Sequence, residues 1–486
     1  MKNRIKYIAV SILFLGLLNS CTKDFLEVQA PTEVLEDFYT SEANAESAIV
    51  GCYDPMGWDG NHNSIPFFFG DIIGHDGYKG GDVGGDQDWM DNLINFNYTS
   101  DNYMLNVAWT DYYIAINRAN SAMENIAEMS TDIISTDKKN VLIAEAKFVR
   151  AWFYFELVKT WGEVPLVDHV LSPSEYQQEL ASENAIWQLI ESDLSSAATY
   201  LPTKNAAGPE WNGRATKGAA DALRAKAYIF QQKWDEAKVL TDGIIATGAY
   251  RLEANYADVF KMENEFNDEI VFSIQFQESG NGTYGNENEG SMFCVYMTTR
   301  AHSFANVGGW GFNCPTNNFA NEFEEGDLRK DATLIFNGET LWEGTADEQT
   351  FNTDFPTNID KMNNQKYALP PSQQPAVFSD ASKNWIAIRY ADVLLWNAEA
   401  AFHTGGDWET PLQLVRTRAG LEATPFDGLA AIYHERRVEL GMEGHRFWDV
   451  VRQGRGQEVL GQYGFVEGVH NHFPVSQDQL DLSDLW

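Results

Sequence analysis

The chain has 486 residues, more than one hydrophobic core usually organises, so it must hold several domains or one elongated array of stacked helices. Asp and Glu number 71 against 34 Lys and Arg, a formal net charge of −37, which argues against partnership with nucleic acid or an anionic lipid surface. Aromatic residues make up 13% of the chain, with 15 Trp, 20 Tyr and 29 Phe, more than a helical core needs, so rings are left over for a surface that meets a neutral ligand.

Residues 1–20 read as a targeting segment: Lys2, Arg4 and Lys6, then an apolar run from Ile8 to Leu18 that is short for a membrane span, then Leu18-Asn19-Ser20-Cys21. Two readings fit. Leu at −3 and Ser at −1 favour a bacterial lipobox, with Cys21 lipidated after cleavage; the alternative is an ordinary secretory signal followed by a chance cysteine. With Cys21 acylated, Cys52, Cys294 and Cys314 remain, with no Cys-x-x-Cys spacing, so no zinc knuckle or redox motif is written here. One disulfide at most is possible, Cys294–Cys314 being the pair to check against buried free thiols.

Ser41 can cap a first helix through Ala45, Ala48, Ile49 and Tyr53, which Pro55-Met-Gly57 ends. Residues 58–98 then lose helical period and are rich in Gly, Asp and aromatics, too long a gap to be a plain connection. Period resumes from Val107 through Tyr112, Ile116 and Asn120 to about Met129. Ala144 to Val158 is apolar nearly all round and belongs in the middle of the body, and Gly162 and Pro165 stop it. Stripes follow at Ile186, Leu189, Ile190, Leu194 and Ala197, at Ala219, Ala222, Leu223, Ala227 and Tyr228, and from Asp235 to about Thr247. Small residues at close crossings and tight turns are the logic of tetratricopeptide hairpins. From 276 to 384 period is lost again, after an alternating stretch, Phe272 to Phe276, that reads as a strand. The predicted scaffold is therefore 41–57, 105–160, 184–247 and 386–452, with irregular insertions at 58–98 and 276–384.

Near the C-terminus, Leu429, Ile432, Tyr433, Arg436 and Leu440 share one helix face, and Gly441 stands where a left-handed cap is expected. Arg436 on an apolar face, with Glu435 and Glu439 as like charges four apart, calls for outside partners, and Arg389, Arg446 and Asp449 are the candidates for an ion-pair pin. His434-Glu435 is not a zinc-protease motif, because Val438 stands where its second histidine would be.

The runs ERRVELGMEGHRFWDVVRQG at 435–454 and RYADVLLWNAEAAF at 389–402 resemble the C-terminal signature of the SusD/RagB family, surface glycan-binding lipoproteins of Bacteroidetes-type bacteria. AEAKFVRAWFYFELVKTWGEVPL, RATKGAADALRAKAYIFQQKWDEA, the Tyr112, Ile116, Asn120 spacing and the run from Cys314 to Arg329 are similar to family stretches in the expected order. The ending departs from the family: it stops at Trp486 without the Asn-Pro-rich tail. The resemblance implies a mainly α fold of stacked tetratricopeptide-type hairpins with a few short strands. It further implies one SusD-like domain over 21–486, insertions that sit together and bear the glycan, no catalysis and no cofactor. A SusC-like TonB-dependent transporter is the implied partner, and a lipid anchor at Cys21 facing the cell exterior is the implied location.

A neutral glycan offers hydroxyls at its edge and a C–H face, so its binder needs flat rings beside carboxylates, amides or guanidinium groups. The candidates are Tyr78 and Trp89, with Asp71, His75 and Asp76, in the first insertion, and Tyr284, Tyr296, Trp310, Phe312 and Trp342 in the second. Trp58 and Asp88 are further possibilities, and Phe67 to Phe69 are expected to anchor the loop. The Asp/Gly density lacks the Asp-x-Asp-x-Asp-Gly loop of a calcium site. Two rival functions are a surface glycoside hydrolase, for which the many carboxylates leave room, and a tetratricopeptide-like scaffold binding only protein, which would leave few rings in the insertions.

Overall fold

A computed structural model describes residues 38–486 except 63, 281–284, 287, 301–308, 378, 484 and 486, so the targeting segment, Cys21 and Tyr284 lie outside the described residues. Helix α1 (Glu42–Tyr53) starts where the Ser41 side chain accepts from the Asn44 N–H, one of the amides a helix start leaves free. Within the first insertion comes α2 (Asp88–Ile94). The long helices α3 (Tyr103–Glu128) and α4 (Thr136–Trp161) follow, then α5 (Glu183–Tyr200), α6 (Lys217–Phe230) and α7 (Trp234–Ala246). From α3 to α7 each helix packs on the one before it. The chain then leaves for the second insertion and returns as α8 (Tyr390–Thr404), which packs on α7 as the next member of the stack. Against α8 lie α9 (Glu409–Arg418) and α10 (Gly428–Glu439), and α11 (Arg446–Arg452) closes the scaffold.

The middle of the stack is α4, whose residues from Phe148 to Val158 are all buried, as a helix apolar on every side requires. Its one cation there, Arg150, donates to both oxygens of Asp193 at 2.7 and 2.9 Å and to Asn120 Oδ1 at 2.7 Å. One side chain thus ties α3, α4 and α5, and removing either acceptor would strand a buried charge.

Four strands matter for the site: β1 (Gly77–Gly80), β2 (Ile270–Ile274), β3 (Phe312–Pro315) and β4 (Trp385–Arg389). β2, two residues earlier than the alternation at Phe272 to Phe276 suggests, pairs with β4 just ahead of α8. β1 pairs antiparallel with β3, Tyr78 opposite Cys314 and Gly80 opposite Phe312, and this ladder joins the first insertion to the second. Gly80 is required there: its φ is +74° and a Cβ would lie 1.9 Å from the Gly311 carbonyl oxygen.

The first insertion is less irregular than its lost period suggests. Pro66–Ile72 forms a wide helical turn whose three consecutive rings face different neighbours: Phe67 meets Phe293 and Tyr367, Phe68 meets Trp89 and Tyr296, and Phe69 meets Phe473. A turn buried on all sides shows no amphipathic period.

The C-terminal pin is present and larger than expected. Glu439 accepts from Arg329, Arg389 and Arg418, while Glu435 accepts from Arg329 at 2.5 Å and Arg416 at 2.9 Å. Arg436 pairs with Asp449 at 3.1 Å and Asp392 at 3.3 Å. Arg446, expected in this cluster, instead approaches Asp76 at 3.6 Å. Gly441 is not the left-handed residue either; Met442 is, at φ 66°. Glycine is needed at 441 because a Cβ would lie 2.1 Å from the Phe319 ring. Cys52, Cys294 and Cys314 are free, buried thiols, so the pairing of Cys294 with Cys314 does not form.

Candidate functional site

The ladder between β1 and β3 sets the two insertions edge to edge, and at this junction three of the expected rings meet. Trp89, on the first turn of α2, packs its edge on buried Phe68, centroids 5.3 Å apart at 80°. Tyr296, on the short helix Phe293–Met297, packs on the other side of Phe68 at 5.3 Å and 80°. Trp310 packs on Tyr296 at 5.1 Å and 77°, its backbone N–H held by the Val295 carbonyl at 2.8 Å. Tyr103, the first residue of α3 and 52% exposed, extends the row by meeting Trp89 at 5.7 Å. The result is an arc, Tyr103–Trp89–Phe68–Tyr296–Trp310, in which edge-to-face contacts support each ring from behind and leave the outer rings half-buried or exposed.

Polar groups flank the arc. Arg300 pairs with Asp82 at 3.2 Å and Asp86 at 3.3 Å and donates to the Trp310 carbonyl at 3.3 Å. It thereby ties the glycine-rich turn that leads into Trp89 to the segment just ahead of β3 that carries Trp310. The Trp89 indole N–H donates to Gln87 Oε1 at 2.5 Å.

The structure removes several of the expected surface contacts. Phe312 is buried beneath Phe68 and Tyr296, because its strand position points it inward, so it supports the arc and cannot offer a face. Trp58 is buried under the Arg118 guanidinium. Asp71 is fully enclosed, accepting from Asn313 Nδ2 at 3.0 Å and the Gly444 N–H at 2.9 Å, and burial pushes its carboxyl up to about 8. Asp76 is also buried, held by Arg437 at 2.6 Å. These two carboxylates dock the first insertion onto the C-terminal motif. They do not face solvent.

His75 and Tyr78 lie apart from the arc's ring contacts. His75 stacks on Tyr463 at 3.5 Å with Nε2 against the Ile94 carbonyl, and burial lowers its pKa. The Tyr78 hydroxyl donates to Asp360 at 3.0 Å, and burial together with that carboxylate raises it to about 12. Trp342, half-buried, belongs to a separate cluster with Ile335, Leu341 and Phe351. Glu324, His434 and Glu435 lie within metal-ligating reach of one another, but the Arg416 guanidinium already sits on both carboxylates, which argues against a cation there.

Sequence reasoning missed Tyr103 and Arg300. Tyr103 had a signal: Met104, Leu105 and Ala108 occupy the buried face of α3, so the ring beside them must point outward. Arg300 had none, since its carboxylate partners lie more than 200 positions away.

A helical stack that carries an aromatic arc on two joined insertions has the makings of a ligand-binding protein. Residues 24–229 match the family described as starch-binding associating with outer membrane, and residues 268–481 match the SusD family. SusD-like protein P25 of Formosa agariphila is 28% identical, covering 97% of this chain and 96% of its own. A SusD-like protein of Bacteroides ovatus is 26% identical, over 93% and 82%. Among solved structures, a laminarin binding SusD-like protein superposes with a TM-score of 0.81 at 28% identity, covering 92% of this chain and 99% of that one. Surface glycan-binding protein A from Bacteroides fluxus superposes at 0.78 with 25% identity, over 91% and 97%. The chain belongs to the SusD family, a non-catalytic family of glycan-binding proteins associated with the outer membrane, and the hydrolase reading falls with that assignment. Among the described residues no helix is long and apolar enough to cross a membrane.

Proposed function

We propose that this chain is an outer-membrane lipoprotein that captures a neutral oligosaccharide or polysaccharide at the cell surface and passes it to a SusC-like TonB-dependent transporter. The observation that carries this reading is the arc: Trp89, Tyr296 and Trp310, from separate segments of both insertions, are braced around Phe68. Rings braced from behind are already ordered before the ligand arrives, so stacking on a sugar's C–H face costs little rotamer entropy. The flanking Asp82, Asp86 and Arg300 supply acceptors and donors for hydroxyls. Capture on such an open platform is of micromolar to millimolar strength, roughly 4 to 8 kcal/mol, weak enough to release the sugar to a transporter.

In this reading Cys21 carries the lipid and residues 21–486 act as one domain. The anchor holds the protein beside its channel and raises the effective concentration of captured sugar there. Laminarin is the first glycan to try, because a laminarin binding SusD-like protein is similar in fold and sequence. The test is native affinity electrophoresis in gels containing laminarin, starch, xylan or galactomannan, with release of reducing ends assayed in parallel. Retardation in at least one gel without release is expected; reducing ends released by the purified protein would contradict the reading. For the anchor, Cys21→Ala should move the protein out of the outer-membrane fraction, and unchanged fractionation would remove the lipoprotein assignment.

A further inference from the structure

We infer that the cleft between the connection from α5 to α6 and strand β2 is a second saccharide site, built on the helical scaffold and not on the insertions. This rests on the glycan-binding reading above and adds a site to it.

The cleft has a volume of about 400 Å³, the size of small-ligand sites. Its floor is Val271, Phe272 and Ser273 of β2, with Phe272 fixed from below by Phe148 at 4.9 Å. One wall is the turn Gly208–Thr216; the other is formed by Lys204, Tyr250, Phe266 and Asn267. In a chain with 71 acidic residues, no Asp or Glu lines this cleft among the described residues.

The first wall is built before any ligand comes. The Trp211 indole N–H donates to the Ala215 carbonyl at 2.9 Å, and the Arg214 guanidinium lies over the indole at 4.4 Å. Gly213, at φ +82°, brings the turn so close to the strand that a Cβ would stand 2.5 Å from Gln275 Cγ. Arg214 spends Nε and Nη2 on Glu145, whose side chain is fully buried, at 2.8 and 2.5 Å, and among the described residues Nη1 makes no hydrogen bond.

These contacts also define the ligand. With its charge met by Glu145, Arg214 offers the two N–H groups of Nη1 to hydroxyls and has no call for an anion. Lys204 is likewise committed, donating to the carbonyls of Asn267 at 3.2 Å and Ile270 at 3.3 Å. Asn212 stands exposed on the rim with an amide that makes no hydrogen bond among the described residues. Phe266, 49% exposed, adds an aromatic ring to the lining. A ring for the C–H face and an amide and guanidinium N–H for hydroxyls fit a neutral sugar. A further groove of about 320 Å³ shares Gly213, Phe272 and Ser273 and continues to Asn288 and Glu289 in the second insertion, so an extended chain has a path along β2. A polysaccharide held at both the cleft and the arc gains avidity that a short oligosaccharide does not.

The test compares the wild type, the Phe266→Ala/Asn212→Ala variant and the Trp89→Ala/Trp310→Ala variant. The three are run in the laminarin, starch, xylan and galactomannan gels, and by calorimetry with laminarihexaose or, if another gel retards the wild type more, the hexasaccharide of that glycan. Both cleft substitutions are at exposed positions, so the first variant should melt as the wild type does. It should lose about tenfold in polysaccharide affinity, the order that loss of one stacked ring and of avidity implies. Hexasaccharide stoichiometry should fall from two per chain to one in either variant. A wild-type stoichiometry of one, with polysaccharide affinity unchanged in the Phe266→Ala/Asn212→Ala variant, overturns the second site and leaves the arc standing. A wild type that binds none of the four glycans overturns both.

Discussion

Glu439→Gln should destabilise the protein strongly while leaving the aromatic arc intact. The Glu439 side chain is fully buried and receives hydrogen bonds from three guanidinium groups, those of Arg329, Arg389 and Arg418. Burial alone would raise its carboxyl, but Arg418, Arg389 and Arg329 outweigh that and hold it well below the usual carboxylate range. Glu443 behaves in the same way: Arg389 and Lys366 overcome its burial and bring it to about 2. Gln keeps the shape and removes the charge, so three buried cations lose a shared counter-ion; breaking a buried pair of this kind costs about 3–5 kcal/mol. The sign with pH follows from the depressed values. Their contribution is fully present above the unfolded carboxylate value near pH ~4.3 and is lost as pH falls toward the folded values. Thermal melting of wild type and variant from pH 7 down to pH 3 should therefore show a large gap at neutral pH that narrows in acid. Equal melting temperatures at pH 7, or a gap that widens in acid, would refute this account of the pin.

Substitutions at three further positions probe the frame around the site. Asp71→Asn should cost little at pH 7 and compare better with the wild type there than at pH 5. Burial holds the Asp71 carboxyl near 8, so the wild type loses stability as pH rises from the unfolded value toward 8, and the buried Asn313 Oδ1, which has no partner, can turn to accept from the new amide. A pH-independent loss of stability on melting would count against that. Gly80→Ala should separate β1 from β3, lowering both melting temperature and glycan affinity, since its Cβ would overlap the Gly311 carbonyl; a variant that melts and binds as the wild type does would show the ladder to be dispensable. Arg300→Ala should weaken glycan binding by about tenfold with a small change in melting, because this exposed-side ion pair contributes little to stability yet fixes Trp310 relative to the Asp82 turn. Arg300→Lys should recover only part of the loss, as a single ammonium cannot span both carboxylates and the carbonyl.

The helical stack was legible because its cause is periodic: the apolar sides of α3, α5 and α6 repeat at helical spacing, and Tyr112, Ile116 and Asn120 lie on one buried face. The pin was legible too, since a charged residue on an apolar face must find partners, though Arg329, Arg416 and Arg418 could not be named from spacing alone. In the insertions the sequence identified rings but not directions. Trp310, set among glycines, and Trp89, three residues after Gly-Gly-Asp, come out half-buried on the arc, while Phe312, two residues after Trp310, turns inward. Asp71 and Asp76 read as polar loop residues because the groups that bury them, Gly444 and Arg437, lie more than 350 positions along the chain. Gly441 was assigned a backbone role when its reason is the Phe319 ring across the pin, a contact no local pattern records.

The central claim is that Trp89 and Trp310 are sugar platforms on a preformed arc, and calorimetry on the Trp89→Ala and Trp310→Ala single variants, with melting temperature measured in parallel, tests it most directly. Titration is against the glycan that most retards the wild type in affinity gels. Each substitution should remove about 1–3 kcal/mol of binding, by analogy with stacking of other ring ligands on aromatic side chains, with the melting temperature nearly unchanged. Intact affinity in both variants together with lowered melting temperatures would place these tryptophans among the structural rings of the core and contradict the account.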